Sequence, residues 1–275
     1  MALVDAHRRR APQFGDQALP ARVGLVALPE VMELAPLERA RVDVALRRFD
    51  EALATWEKAF ADPTIPSAEH ELAGTLADYL TIALRVKGDA QRPQAVLRAL
   101  SKRADAPAYL RNRLVAWAVS LARVAPRLSQ STPSIQSARE WAMMARNLSD
   151  LTTARDGLVY DLAASSLLLR WIDAREKGDR KAQDLELATA YYELAVVEDR
   201  TAFSIWAPQT DVYMEAAVRA APSGPLARRA YARLEEQLLT ELGATSSDGL
   251  PEPERARLAE LKALVEGTAA GVPQP

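Results

Sequence analysis

The sequence predicts an all-α fold, and three observations lead to that prediction. Alanine and leucine dominate the 275 residues, whereas aromatic residues make up 6% and glycine occurs 11 times, a composition that favours helices over strands. Apolar residues form 49% of the chain and recur at spacings of three and four over most of its length. Prolines, glycines and short polar clusters interrupt this pattern and divide the chain into segments of helix length.

The helical period begins only after residue 34. Residues 1–34 contain several prolines and glycines and no sustained period, so we expect an irregular N-terminal arm. Ala35-Pro36 suits a helix start, because proline is well placed at the first helical position. The stretch 37–61 predicts either two helices with a turn near Arg47 or one long helix through that point.

Helix start and stop signals divide the rest of the chain. Ser67 is expected to cap the next helix, Gly88 to end it in a left-handed conformation, and Asp89 to help start the following one. Pro126 and the polar residues 129–133 predict a break. The remaining helices are expected at about 93–102, 107–124, 134–147, 151–177, 188–197, 213–221, 225–242 and 253–266.

Small and aromatic residues alternate in the segment 48–63. Its pattern is formed by Phe49, Ala52, Trp56, Ala59 and Pro63. This segment resembles the second helix of a tetratricopeptide repeat, in which the two small residues let a neighbouring helix approach. The resemblance implies an α-solenoid of antiparallel helical hairpins, about nine to eleven helices in all, that binds other proteins.

Fragments of the same pattern recur further along the chain. They comprise Ala138, Trp141 and Ala145, and then Tyr213, Ala217 and Pro222. The stretch 188–197 aligns either as a first helix through Tyr191 or as a second helix through Tyr192, and Gly178 as the hairpin turn favours the second alignment. The expected organisation is therefore an arm at 1–34, a tetratricopeptide-like helical-repeat domain at 35–266 and a flexible tail at 267–275.

No residue pattern indicates a catalytic, cofactor or metal site. The chain has no cysteine, and its only histidines are His7, in the arm, and His70, which stands between two glutamates in the first turn of a helix. Phosphate-binding glycine loops and the nucleophile elbow are also missing from the sequence. We therefore expect no catalytic residue, no cofactor and no metal.

Charge and hydropathy narrow the range of partners. A formal net charge of -2 provides no positive electrostatic field to attract a phosphate backbone, so nucleic acid is not expected as the partner. The apolar stretch 23–34 is too short and too interrupted to span a membrane. We expect a cytoplasmic protein from the sequence as written, or a periplasmic one if Met1 replaces a removed export signal.

The five tryptophans separate into two groups. Four of them lie on apolar helix faces and are expected in the core: Trp56, Trp117, Trp141 and Trp171. The fifth, Trp206, lies with Phe203 and Ile205 in a short loop segment, where an apolar cluster is either covered by helices or offered to a partner. We predict that these three residues bind a partner.

The leading hypothesis from the sequence is a non-catalytic protein–protein interaction scaffold, an accessory or assembly subunit of a larger complex. Its concave surface or its apolar loop would bind another protein, and the arm at 1–34 would wrap a neighbour. Two alternatives stay open. A helical sensor would enclose a small apolar ligand in a closed cavity. An all-helical enzyme would bring two or more buried carboxylates together in a cleft.

Overall fold

The computed structural model describes residues 35–64, 69–151, 156–178, 184–201 and 209–267. Within these ranges the protein is all-α, as predicted: it has eleven α-helices, about 80% helical residues and no strand. The predicted arm at 1–34, the residues 268–275 of the predicted tail and the predicted helix cap at Ser67 lie outside the described residues.

The helices follow one another with short connections. In chain order they are α1 (Pro36–Ala45), α2 (Phe49–Ala61), α3 (Glu69–Leu80), α4 (Gln91–Leu100), α5 (Ala108–Leu128), α6 (Ile135–Leu151), α7 (Leu158–Glu176), α8 (Leu185–Arg200), α9 (Thr210–Ala220), α10 (Pro225–Leu242) and α11 (Glu252–Glu266). A π-helical segment, Thr81–Val86, continues α3, and a short 3-10 turn, Ser247–Gly249, precedes α11.

The chain turns between α1 and α2 where the two-helix interpretation placed the turn. Arg47 has a φ of 60°, and the Arg48 amide donates to the Asp43 carbonyl at 2.8 Å, which closes the turn. A left-handed conformation in a non-glycine residue is incompatible with a continuous right-handed helix. The alternative of one long helix through Arg47 is therefore wrong.

The predicted signals at the end of the π-helical segment are confirmed. Gly88 has a φ of 65°, the left-handed conformation that glycine adopts at low cost. The Asp89 carboxylate then accepts from the Gln91 amide at 2.8 Å and the Arg92 amide at 3.3 Å. These contacts satisfy amides at the start of α4 that have no partner within the helix.

Several predicted boundaries are wrong, such as 188–197 for α8, and two of the differences have a clear structural reason. Pro126 was expected to end a helix, but α5 runs through it to Leu128. Proline has no N–H, so one carbonyl of the preceding turn loses its hydrogen-bond donor. Pro126 lies on the exposed side of α5, where water can solvate that carbonyl. The helix expected to start at 151 begins at Leu158, because α6 continues to 151. Gly157 precedes it, and a Cβ there would lie 2.5 Å from the Ala145 carbonyl oxygen, so this close approach of α7 to α6 requires glycine.

Neighbouring helices pack in pairs and then against the following pair. Pairs of helices consecutive in the chain that pack together are α1 with α2, α4 with α5, α6 with α7, and α8 with α9. Contacts of α7 with α8 and of α9 with α10 join consecutive pairs, and α5 touches α7 as α9 touches α11. The π-helical segment packs on α7, so it lies next to the middle of the chain.

One continuous apolar core runs through these pairs. Trp56 and Trp117 are fully buried, Trp141 is 3% exposed and Trp171 is partly buried, which confirms that these four tryptophans contribute to the core. The small residues that belong to the repeat-like pattern are also buried: Ala52, Ala59, Ala138, Ala145 and Ala217. Alanines at these positions let helix axes approach closely.

Candidate functional site

Helix α5 presents two opposite faces. Its buried face packs against α4 and α7 and consists of Leu110, Leu114, Trp117, Leu121, Val124 and Leu128. These residues recur at spacings of three and four, so they form the apolar stripe that a core-facing helix needs. The orientation of α5 is therefore fixed, and its other side faces outward.

The outward face of α5 carries an uncharged stripe. The exposed residues at alternating spacings of four and three are Ala108, Asn112, Val115, Val119, Ala122 and Pro126. At 100° per residue they fall within an arc of about 80°. Val115 is 53% exposed and Val119 is 50% exposed, one helical turn apart. We call this set of six residues the α5 stripe.

Two arginines flank the α5 stripe. Helix α5 contains four arginines and no acidic residue, and two of them, Arg113 and Arg127, lie near the carboxylates of Asp156 and Glu140. Helical geometry places Arg111 on one side of the stripe and Arg123 on the other. Arg111 donates to the Ala106 carbonyl at 2.6 Å and Arg123 to the Tyr160 hydroxyl at 3.5 Å. Within the described ranges, neither arginine has a carboxylate at ion-pair distance.

Polar contacts at both ends of α5 hold it against its neighbours. Near the start, Arg113 lies 3.8 Å from the Asp156 carboxylate. Near the end, Arg127 pairs with Glu140 of α6 at 2.8 Å. Arg170 of α7 donates to the carbonyl of Leu128, the last residue of α5, at 2.8 Å. These contacts make the exposed face of α5 a fixed surface, as a preformed binding surface requires.

A second feature is a buried polar cluster where the π-helical segment, α7, α8 and α9 meet. Arg85 Nε donates to Glu198 Oε1 at 2.6 Å, and the Ser165 hydroxyl donates to the same oxygen at 2.6 Å. Arg85 Nη2 donates to the Tyr213 hydroxyl at 3.3 Å, and that hydroxyl donates to Gln209 at 3.4 Å. The cluster therefore joins residues 128 positions apart in the chain. We call it the Glu198 cluster.

The Glu198 cluster is buried and incompletely satisfied. Glu198 is 1% exposed, and its Oε2 atom has no hydrogen-bond partner among the described residues. Burial raises the pKa of Tyr213 to about 12, although Arg85 partly opposes the increase. Tyr213 is therefore a neutral phenol near pH 7. A π-helical segment is rare, and such segments are frequent at functional sites.

Three other buried carboxylates in the described residues are each paired with an arginine of another helix, and a fourth, Asp43 of α1, has its pKa raised by burial. Asp78 pairs with Arg41 at 3.3 Å, Asp184 pairs with Arg175 at 2.8 Å, and Asp161 pairs with Arg200. Burial raises the pKa of the Asp161 carboxyl, and Arg200 partly offsets the increase. Separate arginine pairs are typical of contacts that fix helices to one another. The paired acids of an enzymatic cleft would instead converge.

The predicted partner-binding residues lie where the structure makes no statement. Phe203, Ile205 and Trp206 all fall in 202–208, outside the described residues, so their role stays a prediction. The described neighbours of that segment are Thr201, the C-cap of α8, and Gln209, the N-cap of α9.

Sequence reasoning missed both features described above. The spacing of the α5 stripe and the cluster of basic residues are visible in residues 91–130, so a search for uncharged positions opposite a core face would have found them. The Arg85–Glu198 pair joins residues 113 positions apart, and no local pattern marks either of them.

The described part of the chain holds no group of three His, Asp or Glu side chains placed to bind a metal ion. None of its helices is long and apolar enough to cross a membrane. Comparisons with protein-family models, curated proteins and solved structures found no match.

Proposed function

We propose that the protein is a non-catalytic interaction scaffold, an accessory or assembly subunit that binds another protein through the α5 stripe. The observation that supports this function best is the stripe itself, a fixed row of six exposed uncharged side chains on a helix whose opposite face is buried. Val115 and Val119 are half exposed, so covering them would contribute about 1 kcal/mol each. Regularly spaced apolar side chains on a rigid helix are typical of surfaces that bind a partner helix.

The arrangement of the helices supports an α-solenoid related to tetratricopeptide repeats. Each described helix pair packs on the next, and contacts also join helices two positions apart, as in stacked hairpins. The alanines Ala52, Ala138 and Ala217, which the proposed repeat pattern assigns to its small positions, are all buried. Stacked hairpins expose long helix faces, which suits a scaffold.

Affinity purification from the native source tests this function. The variant Val115→Asp/Val119→Asp places two charges in the α5 stripe, and both sites are exposed, so the fold should keep its thermal midpoint. The matched control Leu185→Asp/Leu242→Asp makes the same chemical change at exposed apolar residues of α8 and α10. We expect a partner that copurifies with wild type and the control and is lost from the α5 variant.

The partner should then bind when both chains are purified and mixed, again with loss of affinity for the α5 variant alone. A partner retained equally by all three forms would show that binding uses another surface. A monomer with no copurifying chain that turned over a metabolite would contradict the scaffold function altogether.

A small-ligand sensor is the second candidate function, and it is favoured by Glu198 Oε2, which has no hydrogen-bond partner in the described part of the chain. A buried acceptor without a donor costs free energy, which a bound N–H or O–H group would recover. The ligand favoured in this way is polar, unlike the apolar one expected from the sequence. Methylammonium and methylguanidinium are suitable probes. A rise in the thermal midpoint of the protein that Glu198→Gln abolishes would support the sensor function. No rise with either cation would contradict the sensor function.

A further inference from the structure

We propose that the α5 stripe binds an amphipathic helix whose apolar face is flanked by aspartate and glutamate. The inference rests on the proposed function and adds the chemistry of the partner segment. Two properties of α5 lead to it: the shape of the stripe and the charge on both sides of it.

The shape of the stripe fits a helix. Its six positions alternate at spacings of four and three, the spacing at which one helix meets another along a seam. Ala108 and Ala122 are small, and Val115 and Val119 are short branched residues, so a second helix axis could approach closely. The stripe covers 108–126, which is about 27 Å at 1.5 Å per residue and matches a partner helix of about five turns.

The charge around the stripe selects the partner. Helix α5 contains four arginines and no acidic residue. Arg111 and Arg123 flank the uncharged positions on opposite sides, without a carboxylate at ion-pair distance in the part of the chain that the structure describes. A helix with acidic residues beside its apolar face would place a carboxylate opposite each of them. Such complementarity raises association rates and disfavours basic partners.

The same observations disfavour three other occupants. A second copy of α5 would bring arginines of the two chains together, and α5 has no acidic residue to pair with them. A membrane surface is bound by helices that insert Trp, Phe or Leu, whereas the stripe offers alanine, valine, asparagine and proline. Nucleic acid is contacted by cations at the centre of an interface, and here the centre is uncharged.

Site-specific photocrosslinking tests the inference in the native host. A benzophenone amino acid at Val119 should attach to a partner, and the same group at Leu185 is the control, since both residues are exposed and apolar. Mass spectrometry of the attached peptide identifies the segment that covers the stripe. We expect a segment with helical apolar period, net negative charge and carboxylates on both sides of its apolar face.

The possible outcomes separate this inference from the proposed function. A protein crosslinked at Val119 through a neutral or basic segment would overturn the inference and leave the scaffold function in place. A crosslink to a second copy of the chain would overturn the acidic-helix inference. Crosslinks to lipid or nucleic acid, or none at Val119, would overturn both the inference and the use of the stripe as a protein-binding surface.

Peptide binding then tests the charge argument quantitatively. The synthetic acidic segment should bind the full chain in fluorescence anisotropy, and its affinity should fall with added salt. Arg123→Glu should weaken binding about two- to tenfold, whereas Arg228→Glu, an exposed arginine of α10, should leave it unchanged. Equal affinities for both variants, or no salt dependence, would contradict the role of charge.

Discussion

Replacing Glu198 by alanine is expected to destabilise the fold strongly, because Arg85 would remain buried without its counter-ion. The Arg85 and Glu198 side chains are 6% and 1% exposed, and Nε lies 2.6 Å from Oε1. Removing one partner of a buried ion pair costs about 3–5 kcal/mol. The Ser165 hydroxyl also loses its acceptor, which adds about 1 kcal/mol. The expected loss in the free energy of unfolding is therefore about 4–6 kcal/mol.

Urea unfolding followed by circular dichroism measures this loss, and thermal unfolding checks it. For a chain of this size the thermal midpoint should fall by about 8–24 °C. Asp173→Ala is the control, since it breaks an exposed pair with Lys177 whose side chains are 64% and 74% exposed. Exposed pairs contribute little, so the control should cost about 0.5 kcal/mol or less.

A double variant distinguishes the loss of a buried ion pair from a simple loss of side-chain volume. Arg85→Met/Glu198→Leu replaces both charges by apolar side chains, and such replacements are often neutral or stabilising. The double variant should therefore recover most of the stability that Glu198→Ala loses. The reasoning is refuted if Glu198→Ala costs no more than the control, or if the double variant is less stable than the single one.

Three further predictions follow from single residues. Gly157→Ala should lower the free energy of unfolding by about 1–3 kcal/mol, because the new Cβ would lie 2.5 Å from the Ala145 carbonyl oxygen. Gly74→Ala, in α3, should raise it by about 0.5–1 kcal/mol, because no atom lies within 4 Å of the new Cβ. Urea unfolding of both variants checks the opposite signs. Trp117→Ala should cost about 3–5 kcal/mol, since Trp117 is fully buried, and a loss below about 1 kcal/mol would contradict its core position. Tyr213 has a pKa raised from 10.0 to about 12, so its neutral form contributes stability that is present below pH 10 and lost as pH rises toward 12. Tyr213→Phe should remove one late step from the tyrosinate absorbance titration, and an unchanged titration would count against the burial of this hydroxyl.

The sequence predicted the fold class because helical period and turn chemistry are local properties. Arg47, Gly88 and Asp89 lie at the predicted turn, stop and start, where a few neighbouring residues decide the conformation. Pro126 was misjudged because the strength of proline as a helix breaker depends on whether the freed carbonyl meets water, and exposure depends on tertiary packing. Gly157 was missed for the same reason, since its contact is with Ala145 of another helix.

The two features of the candidate site differ in how far the sequence could reveal them. The α5 stripe is a local pattern in one helix, and only the assignment of its buried face was needed to recognise it. The Glu198 cluster depends on the packing of four separate elements, so Arg85 and Glu198 look in the sequence like any other charged residues on a helix. Burial distinguishes them, and burial here is set by contacts between residues more than 100 positions apart.

Hydrogen–deuterium exchange of the chain, alone and bound to its copurified partner, tests most directly whether the α5 stripe is the binding surface. The account predicts slower exchange in peptides that cover 108–126 and no change in α10 and α11, because docking would exclude water from α5 alone. Unchanged exchange throughout α5 with protection elsewhere would contradict it.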